Sequence, residues 1–508
     1  MQPKNTEKMT SGAKELQALR RLAAAITDMT AAEAPEILEW NARAEALAES
    51  GDLEALPSER KLDELGFALR SAWLRMAHET SHHYLMAPPH EQPKYMPSGE
   101  RFQFDYERSS RPELLERRGL AMAPPPKGWN AKCMLFTSGM SAIATLVQVC
   151  CAHLKGALPD EPAKLKMFGG YFETWRLLDM FHNPALDVEY LQTNAALAKA
   201  ISSGTADALI IEPVAYDWDM TVFDVDAFAE AWRSAAACPQ VVIVDTSLTG
   251  DHFGLDDILG AFGDRLPWMV LFVRSGLKLD HEGLELSNVG IVNIYVPPGK
   301  DRPFNFEHLK QRLTVNRAVT GGGLTVNDTA ALEAPWFLSR DSFRGHAARV
   351  FENNRRLAVA VRNEGGIISR IGHPALLPEA PWKWAVAPFV VFHLADDTAG
   401  RHGLLVAILV YEARRRGLCF DLGSSFGFRG HRFEVIRPLV QIREWAGRSG
   451  LLKIAMGSRD GPSVDGVIAL INDILGVADW SALKAAYPDV KPYVKGNFGV
   501  YVERPPRS

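Results

Sequence analysis

Apolar positions change their period along this chain, and the changes divide it. Between about residues 12 and 82 they recur every three or four positions, as in LQALRRLAAAI and LDELGFALRSAWLRMA, with charge on the other faces, which predicts several helices. The stretch MAPPHEQPKYMPSGE, residues 86–100, carries four prolines and a Ser-Gly pair and reads as an extended crossing segment. Beyond it, short β-rich runs precede helical patterns: AKCMLFTSG before MSAIATLVQVCCAHL, ALIIEPV before DVDAFAEAWRSAAA, and VVIVDTSL before HFGLDDILGAF. WMVLFVRSGLKLD and VGIVNIYVPP add two more strands. Such alternation predicts an α/β fold with a mostly parallel central sheet wrapped by helices. Residues 303–365 are helical again, and WAVAPFVVFHL, LLVAILVYEARRRGL and LLKIAMG predict a smaller C-terminal α+β domain. The resulting division is a helical N-terminal extension and arm over 1–100, a large domain over 101–345 and a small domain over 346–508.

Length agrees with that division, since 508 residues exceed what a single core usually supports. With 47% hydrophobic and 23% charged residues the composition is that of a globular protein. A net charge of -5 and no clustered Lys/Arg run give nucleic acid nothing to grip. The longest apolar run, LFTSGMSAIATLVQV, is broken by Gly and Ser and falls short of the roughly 20 residues a membrane span needs. No hydrophobic segment follows the charges of MQPKNTEKMTSGAKELQ, so a cytoplasmic protein without a membrane partner is expected. The five cysteines, Cys133, Cys150, Cys151, Cys238 and Cys419, are too scattered for a disulfide framework or a zinc site, and read as buried free thiols.

Chemistry-bearing residues stand at the strand ends. Ser138-Gly139-Met140 closes one strand and opens a helix, where unpaired N–H groups and the helix dipole favour an anion such as phosphate. Asp245 follows the apolar run Val241 to Val244, and Lys278 follows MVLFVRSG, where burial favours a nucleophilic amine. Singly, these are an ordinary turn, a helix cap and a surface lysine. In an open α/β sheet, however, the carboxyl ends of the strands converge.

Over residues 100–475 the chain resembles the Cys/Met-metabolism family, the cystathionine synthase and lyase group of fold-type I enzymes dependent on pyridoxal 5'-phosphate (PLP). That family's arm, Tyr-x-Arg-x-x-Asn-Pro followed by Leu-Glu, is matched by YERSSRPELLE from Tyr106 to Glu116. Its Ser-Gly-Met turn is matched by TSGMSAI, its aromatic-Gly-Gly element by FGGYFETWRLL, and its Glu-x-Pro strand end is approximated by IIEPVAYDWDM. VVIVDTSL supplies the aspartate, SGLK the Ser-x-x-Lys of the cofactor lysine, RAVTGGGLTVNDTAALEAPWFLSR the Gly-containing segment, and LLKIAMGSRD the substrate-carboxylate strand.

The resemblance implies that Lys278 holds PLP as a Schiff base and shuttles protons, and that Asp245 pairs with the pyridinium nitrogen. It implies that Ser138, Gly139, Met140 and Ser275 bind the cofactor phosphate. It also implies that Tyr106 and Arg108 reach that phosphate from a neighbouring subunit, in a homodimer or homotetramer with shared active sites. Departures narrow the substrate. Phe168 aligns with the stacking tyrosine and cannot donate a proton, leaving Tyr171 or Phe172 to take over. Lys453 aligns with the arginine that grips the substrate carboxylate, and Arg432 and Arg437 are alternative sources of that two-point contact. The implied activity is elimination or replacement at the β or γ carbon of an amino acid, in specialised biosynthesis with C–C or C–N bond formation. The alternatives are an aminotransferase and a non-catalytic PLP-binding protein.

Overall fold

The computed structural model describes residues 9–30, 34–89, 94–157, 160–181, 184–299, 304–362, 365–378, 382–436 and 448–493. They divide into two compact units. One takes the chain up to Ala72, His346–Leu376 and the residues from Pro388 onward, and the other takes Trp73–Gly345 and Leu377–Ala387.

The first unit opens with α1 (Ser11–Thr30), α2 (Pro35–Glu49) and α3 (Leu56–Ser81), and the chain leaves it at Trp73, within α3. The apolar period read in the sequence is the buried face: Leu16, Leu19, Ala23 and Ile26 in α1, Ile37, Trp40, Ala44 and Leu47 in α2, and Leu62, Leu65 and Leu69 in α3. The Trp40 indole donates to Leu65 O at 2.8 Å, so the one polar atom of this ring is satisfied inside the core.

In the second unit the proline-rich stretch contains a small antiparallel pair, β1 (Lys94–Tyr95) and β2 (Arg101–Phe102), followed by a 3-10 turn at Glu107–Ser109 and α4 (Glu113–Met122). Seven strands then form the main sheet: β3 (Asn130–Phe136), β4 (Ala163–Phe168), β5 (Leu186–Leu191), β6 (Ala208–Ile211), β7 (Val241–Asp245), β8 (Met269–Ser275) and β9 (Gly290–Val296). Their order is β3-β9-β8-β7-β6-β4-β5. Strands β4 to β8 run parallel, whereas β9 is antiparallel to both its neighbours. Every residue of β6 and β9 is buried, which is why, apart from Asn293, these segments are apolar rather than alternating. Burying each Val, Leu or Ile contributes roughly 1.5–3 kcal/mol. The intervening helices are α5 (Gly139–Ala157), α6 (Phe172–Phe181), α7 (Asn194–Ser202), α8 (Val225–Ser234), α9 (Leu255–Phe262) and the short α10 (Gly276–Leu279), with α11 (Phe306–Val319) and α12 (Val326–Leu332) after the sheet. The α/β class and the mostly parallel sheet expected from the sequence are those observed. Because β3 runs with the parallel strands, Phe136, Phe168, Ile211, Asp245 and Ser275 all emerge on one edge. Gly290, the first residue of β9, joins them there, opposite Phe136 and Ser275.

The chain re-enters the first unit within α13 (Arg340–Ala360) and builds a five-stranded sheet from β10 (Ile368–Gly372), β11 (Val390–Leu394), β12 (Phe420–Leu422), β13 (His431–Ile436) and β14 (Leu451–Ala455). The order is β10-β11-β14-β13-β12, and only the β12–β13 pair is parallel. α14 (Ala399–Arg415) and α15 (Pro462–Leu475) lay Ile408, Leu409, Leu470 and Ile474 in one core with Phe392, Phe433 and Ile454 of the sheet. α16 (Trp480–Ala486) ends the described helices.

A buried ion pair and further polar contacts tie the N-terminal helices to this C-terminal half. Glu15 of α1 meets Arg429 at 2.6 Å, Asp63 of α3 bonds Arg459, and the Glu59 carboxylate accepts the Ser463 N–H at the start of α15 at 2.9 Å. The sequence division sets residues 1–100 apart, whereas the compact units group the helices before Trp73 with the C-terminal segments. Among the described residues no single helix is long and apolar enough to cross a membrane. All five cysteines are free, and all but Cys151 are buried.

Candidate active site

The carboxyl edge of the seven-stranded sheet collects the polar groups that the sequence places at strand ends. At the end of β7, Asp245 Oδ1 accepts the Ser247 N–H at 2.9 Å, and Ser247 Oγ accepts the Ser275 N–H at 2.9 Å. Two hydrogen bonds thus join the tip of β7 to the tip of β8, from which α10 carries Lys278, partly exposed, one turn further. Burial pushes the Asp245 carboxyl up from its ordinary value, against the Ser247 hydrogen bonds that hold it down.

The opening turn of α5 lies against the same corner. Ser138 Oγ accepts the Ser141 N–H at 3.1 Å, the bond of a helix N-cap. A methyl group on Gly139 would stand 3.5 Å from Ser275 Cα, so the turn and Ser275 are in van der Waals contact. One on Gly290 would lie 2.2 Å from Ser138 O, so only glycine lets β9 start under this turn. The opening turn of α5 therefore stands next to Ser275, and helix N-termini of this kind hold phosphates.

The next loop along the edge follows β4. Here the expectation for Phe168 is corrected. Its side chain is 1% exposed and packs 6.0 Å from the Phe223 ring, in an aromatic cluster with Phe228 and Phe253, because it is still a strand residue facing the core. Tyr171, three residues on, is only partly buried. Its ring stands edge-on to Tyr216 at 5.5 Å and beside Phe172 at 5.2 Å, and its Oη donates to Glu173 at 2.5 Å. Burial, Glu173 and then the charges of Asp245 and Glu212 raise the Tyr171 phenol, which keeps its proton at neutral pH. Tyr171 lies in the field of Asp245.

Side chains of Glu107 and Ser110 hold the arm to the backbone of the segment after the triple glycine, while Tyr106 and Arg108 stay exposed. Glu107 accepts the Val326 N–H at 3.0 Å, and Ser110 Oγ donates to Leu324 O at 3.2 Å. A methyl on Gly323 would stand 3.2 Å from Arg108 O, one on Gly322 would stand 2.7 Å from Ser141 Oγ, and Thr137 donates to Gly322 O at 2.9 Å. The triple glycine thus threads between the arm and the opening of α5. Tyr106 is 50% exposed, with the Arg108 guanidinium 5.0 Å over its ring.

In the other unit Lys453 and Glu434 are cross-strand partners on β14 and β13. Lys453 is 2% exposed, its Nζ lies 2.5 Å from Glu434 Oε1, and the Phe389 and Phe426 rings flank it at 5.3 and 5.5 Å. Lys453, expected to grip a substrate carboxylate, thus meets a carboxylate of its own chain. Arg432 is partly exposed, with its guanidinium 4.0 Å over the Phe428 ring. Arg437 lies outside the described residues.

Two residues of the edge were not singled out from the sequence. Ser247 bridges Asp245 to Ser275, a local Asp-x-Ser turn legible in DTS. Glu212 sits 3% exposed just beyond β6, and its carboxylate accepts the N–H groups of Gly170 at 3.1 Å, Tyr171 at 3.1 Å and Tyr216 at 2.8 Å. Burial first, then the charge of Asp245, push it up to about 8, against the three donors.

No family model matches this chain, and no curated protein matches it. Solved structures do. The metB protein of Corynebacterium glutamicum superposes with a TM-score of 0.54 at 16% identity, covering 79% of this chain and 98% of its own. A cystathionine gamma-lyase from Lactobacillus plantarum complexed with L-serine gives 0.53 at 14% identity, covering 80% and 99%. CalE6, a methionine gamma lyase from Micromonospora echinospora, gives 0.50 at 20% identity, covering 79% and 98%. The chain has the fold-type I, PLP-dependent transferase-like fold.

Proposed function

We propose that this chain is a PLP-dependent enzyme that eliminates or replaces a group at the β or γ carbon of an amino acid. The observation that carries the reading is the convergence of Asp245, Ser275, Lys278 and the opening turn of α5 on one sheet edge, in a fold shared with gamma-lyases. The donor set suits PLP: a helix N-terminus beside a serine hydroxyl for the phosphate, a buried carboxylate for the ring nitrogen, and a strand-end lysine for the carbonyl. When bound, PLP withdraws electrons from a bond at the substrate α carbon.

The chain's own groups do the rest. Gly139 and Met140 N–H, with the Ser138 and Ser275 hydroxyls, hold the phosphate. Asp245 keeps a proton on the ring nitrogen, for which its low-dielectric seat is suited. Lys278 would hold the carbonyl end of the cofactor, and its amine would move protons at the α and β carbons of the substrate. Tyr171 covers a ring face. Arg432 or Arg437 receives the substrate carboxylate in place of Lys453. Tyr106 and Arg108 complete a neighbour's phosphate site in a homodimer or homotetramer, which accounts for their standing exposed on one chain. A cytoplasmic setting and a specialised biosynthetic substrate complete the reading.

The test is product analysis by mass spectrometry after PLP-loaded protein is incubated with a panel of γ-substituted amino acids. Loss or exchange of the substituent is expected. Amino-group transfer to a keto acid with the substituent retained would replace the reading with an aminotransferase, and unchanged substrates across a broad panel would favour a non-catalytic PLP-binding protein.

A further inference from the structure

Glu212 is a buried carboxylate for which the chemistry above has no use. Its three hydrogen bonds show what it does instead. Two of them, from Gly170 and Tyr171, fix the backbone of the turn between β4 and α6, and the third, from Tyr216, fixes the segment on which that turn rests. The fit is close on both sides. A methyl on Gly169, whose φ is +157°, would lie 2.5 Å from Glu212 Cδ, and one on Gly170 would lie 2.6 Å from Asp217 Cβ. The Trp175 indole closes the turn from the far side by donating to Gly169 O at 3.2 Å. Tyr171 leaves this turn with its ring already edge-on to Tyr216, so both rings of the pair are set by amides that Glu212 holds.

We infer that Glu212 is a positioning residue, a clasp that holds the Gly169–Tyr171 turn so that Tyr171 presents its ring to the cofactor beside Asp245. This rests on the cofactor reading above, but the clasp itself is a property of the chain alone. Both carboxylate oxygens are needed as acceptors. A glutamine offers one oxygen and turns an N–H₂ group against at least one of the same donors, so Glu212→Gln loosens the turn with little change in volume.

Three measurements on the full chain, made above pH 8 where Glu212 is the carboxylate that the three amides require, test this. In cofactor-free protein, hydrogen exchange at Gly170, Tyr171 and Tyr216 is expected to quicken about tenfold or more in Glu212→Gln, with β7 and β8 unchanged. In PLP-loaded protein, the visible circular dichroism of the bound cofactor, which reads the seat of its ring, is expected to shrink. The PLP dissociation constant is expected to rise about tenfold in Glu212→Gln and in Tyr171→Ala, and no further in the double variant, because one acts through the other. Gly170→Ala, which lifts the turn off Asp217 without touching Glu212, serves if Glu212→Gln does not fold, and is expected to give the same three changes.

Wild-type exchange at the turn in Glu212→Gln overturns the clasp. A loosened turn with unchanged dichroism and affinity, or effects that multiply in the double variant, overturns its action through Tyr171. Wild-type protein that fails to bind PLP overturns the cofactor reading and the inferred role toward it, while exchange still reports the clasp.

Discussion

Opposite buried charges meet in both units, as Arg274 with Asp280 and Arg317 with Glu116 in the unit of the seven-stranded sheet, but the carboxyl edge of that sheet also gathers like charges, and this separates structure from chemistry. In the unit of the N-terminal helices and the five-stranded sheet, opposite charges meet: Arg429 with Glu15, Arg459 with Asp63 and Glu59, Lys453 with Glu434. In the unit of the seven-stranded sheet, Glu212 and Asp245 place two carboxylates in each other's field, and burial raises both. Like charges held together in a low dielectric cost stability, and such arrangements mark sites where a group from outside is to be received. Substitutions on the sheet edge should therefore change chemistry with little loss of fold, and substitutions in the other unit should do the reverse.

The largest effect is expected for Lys278→Ala. Turnover should fall by a factor of about 1,000 or more, with the thermal midpoint almost unchanged, since Lys278 is the amine that would bind the cofactor and move protons. Borohydride treatment of the wild-type holoenzyme should fix the cofactor on the Lys278 peptide. A label found on another lysine, or steady turnover in the variant, would remove Lys278 from the site.

Next comes Asp245→Asn, expected to bind PLP yet lose about 100-fold or more of the rate, because an amide does not keep the ring nitrogen protonated. The same variant sharpens the electrostatic side of the comparison. Glu212 holds its proton more tightly folded than unfolded, so the proton stabilises the cofactor-free fold. That contribution is full below its ordinary value of 4.5 and fades as pH rises to about 8. Urea midpoints of cofactor-free protein should fall across this window, and fall less in Asp245→Asn, where one of the two like charges is gone. Equal pH dependence in the two proteins would show that the carboxylates do not feel each other.

In the other unit, Arg429→Met leaves Glu15 buried without its guanidinium, a loss of roughly 3–5 kcal/mol by analogy with other broken buried pairs. Much of it should return when Glu15→Leu is added, and turnover of the folded fraction should stay at the wild-type level. Denaturant titration of the three variants reads this directly. A single variant as stable as wild type would mean that the pair does not hold the N-terminal helices.

What could be read in advance follows the range of the interactions. Val241 to Asp245 and Ser275 to Lys278 were legible because an apolar run that stops at a polar residue is a local signal, and parallel topology brings such ends together. The helices before residue 82 were legible from their period, but not what they pack on, since Glu15 and Arg429 are 414 positions apart. Phe168 was misread because alignment to an aromatic position does not say where the strand ends. The strand runs through Phe168, and the two glycines after it move the exposed ring to Tyr171. The pairing of Lys453 with Glu434 was not legible because it is set by the register of β13 against β14, which no local pattern encodes.

The smallest expected effect concerns the arm, and it asks whether the sheet edge is complete within one chain. Tyr106 and Arg108 follow a segment rich in proline, the neighbouring Ser110 and Glu107 side chains bond the backbone of Leu324 and Val326, and the Tyr106 and Arg108 side chains are exposed. An exposed guanidinium stacked on a tyrosine ring is costless to redirect toward a second chain, and an arginine is well shaped for a phosphate. Replacing both, as Tyr106→Phe with Arg108→Ala, should weaken PLP binding and turnover by about 10- to 100-fold, the loss of a charge-assisted contact. The sharper experiment mixes that double variant with Lys278→Ala under subunit exchange. If the arm serves a neighbour, each hybrid dimer has one site with both defects and one with neither. Random pairing then restores about a quarter of the wild-type sites from two impaired parents. If the arm serves its own chain, every site keeps a defect. Differently tagged subunits that form hybrids without recovered activity would place both halves of the phosphate site on one chain.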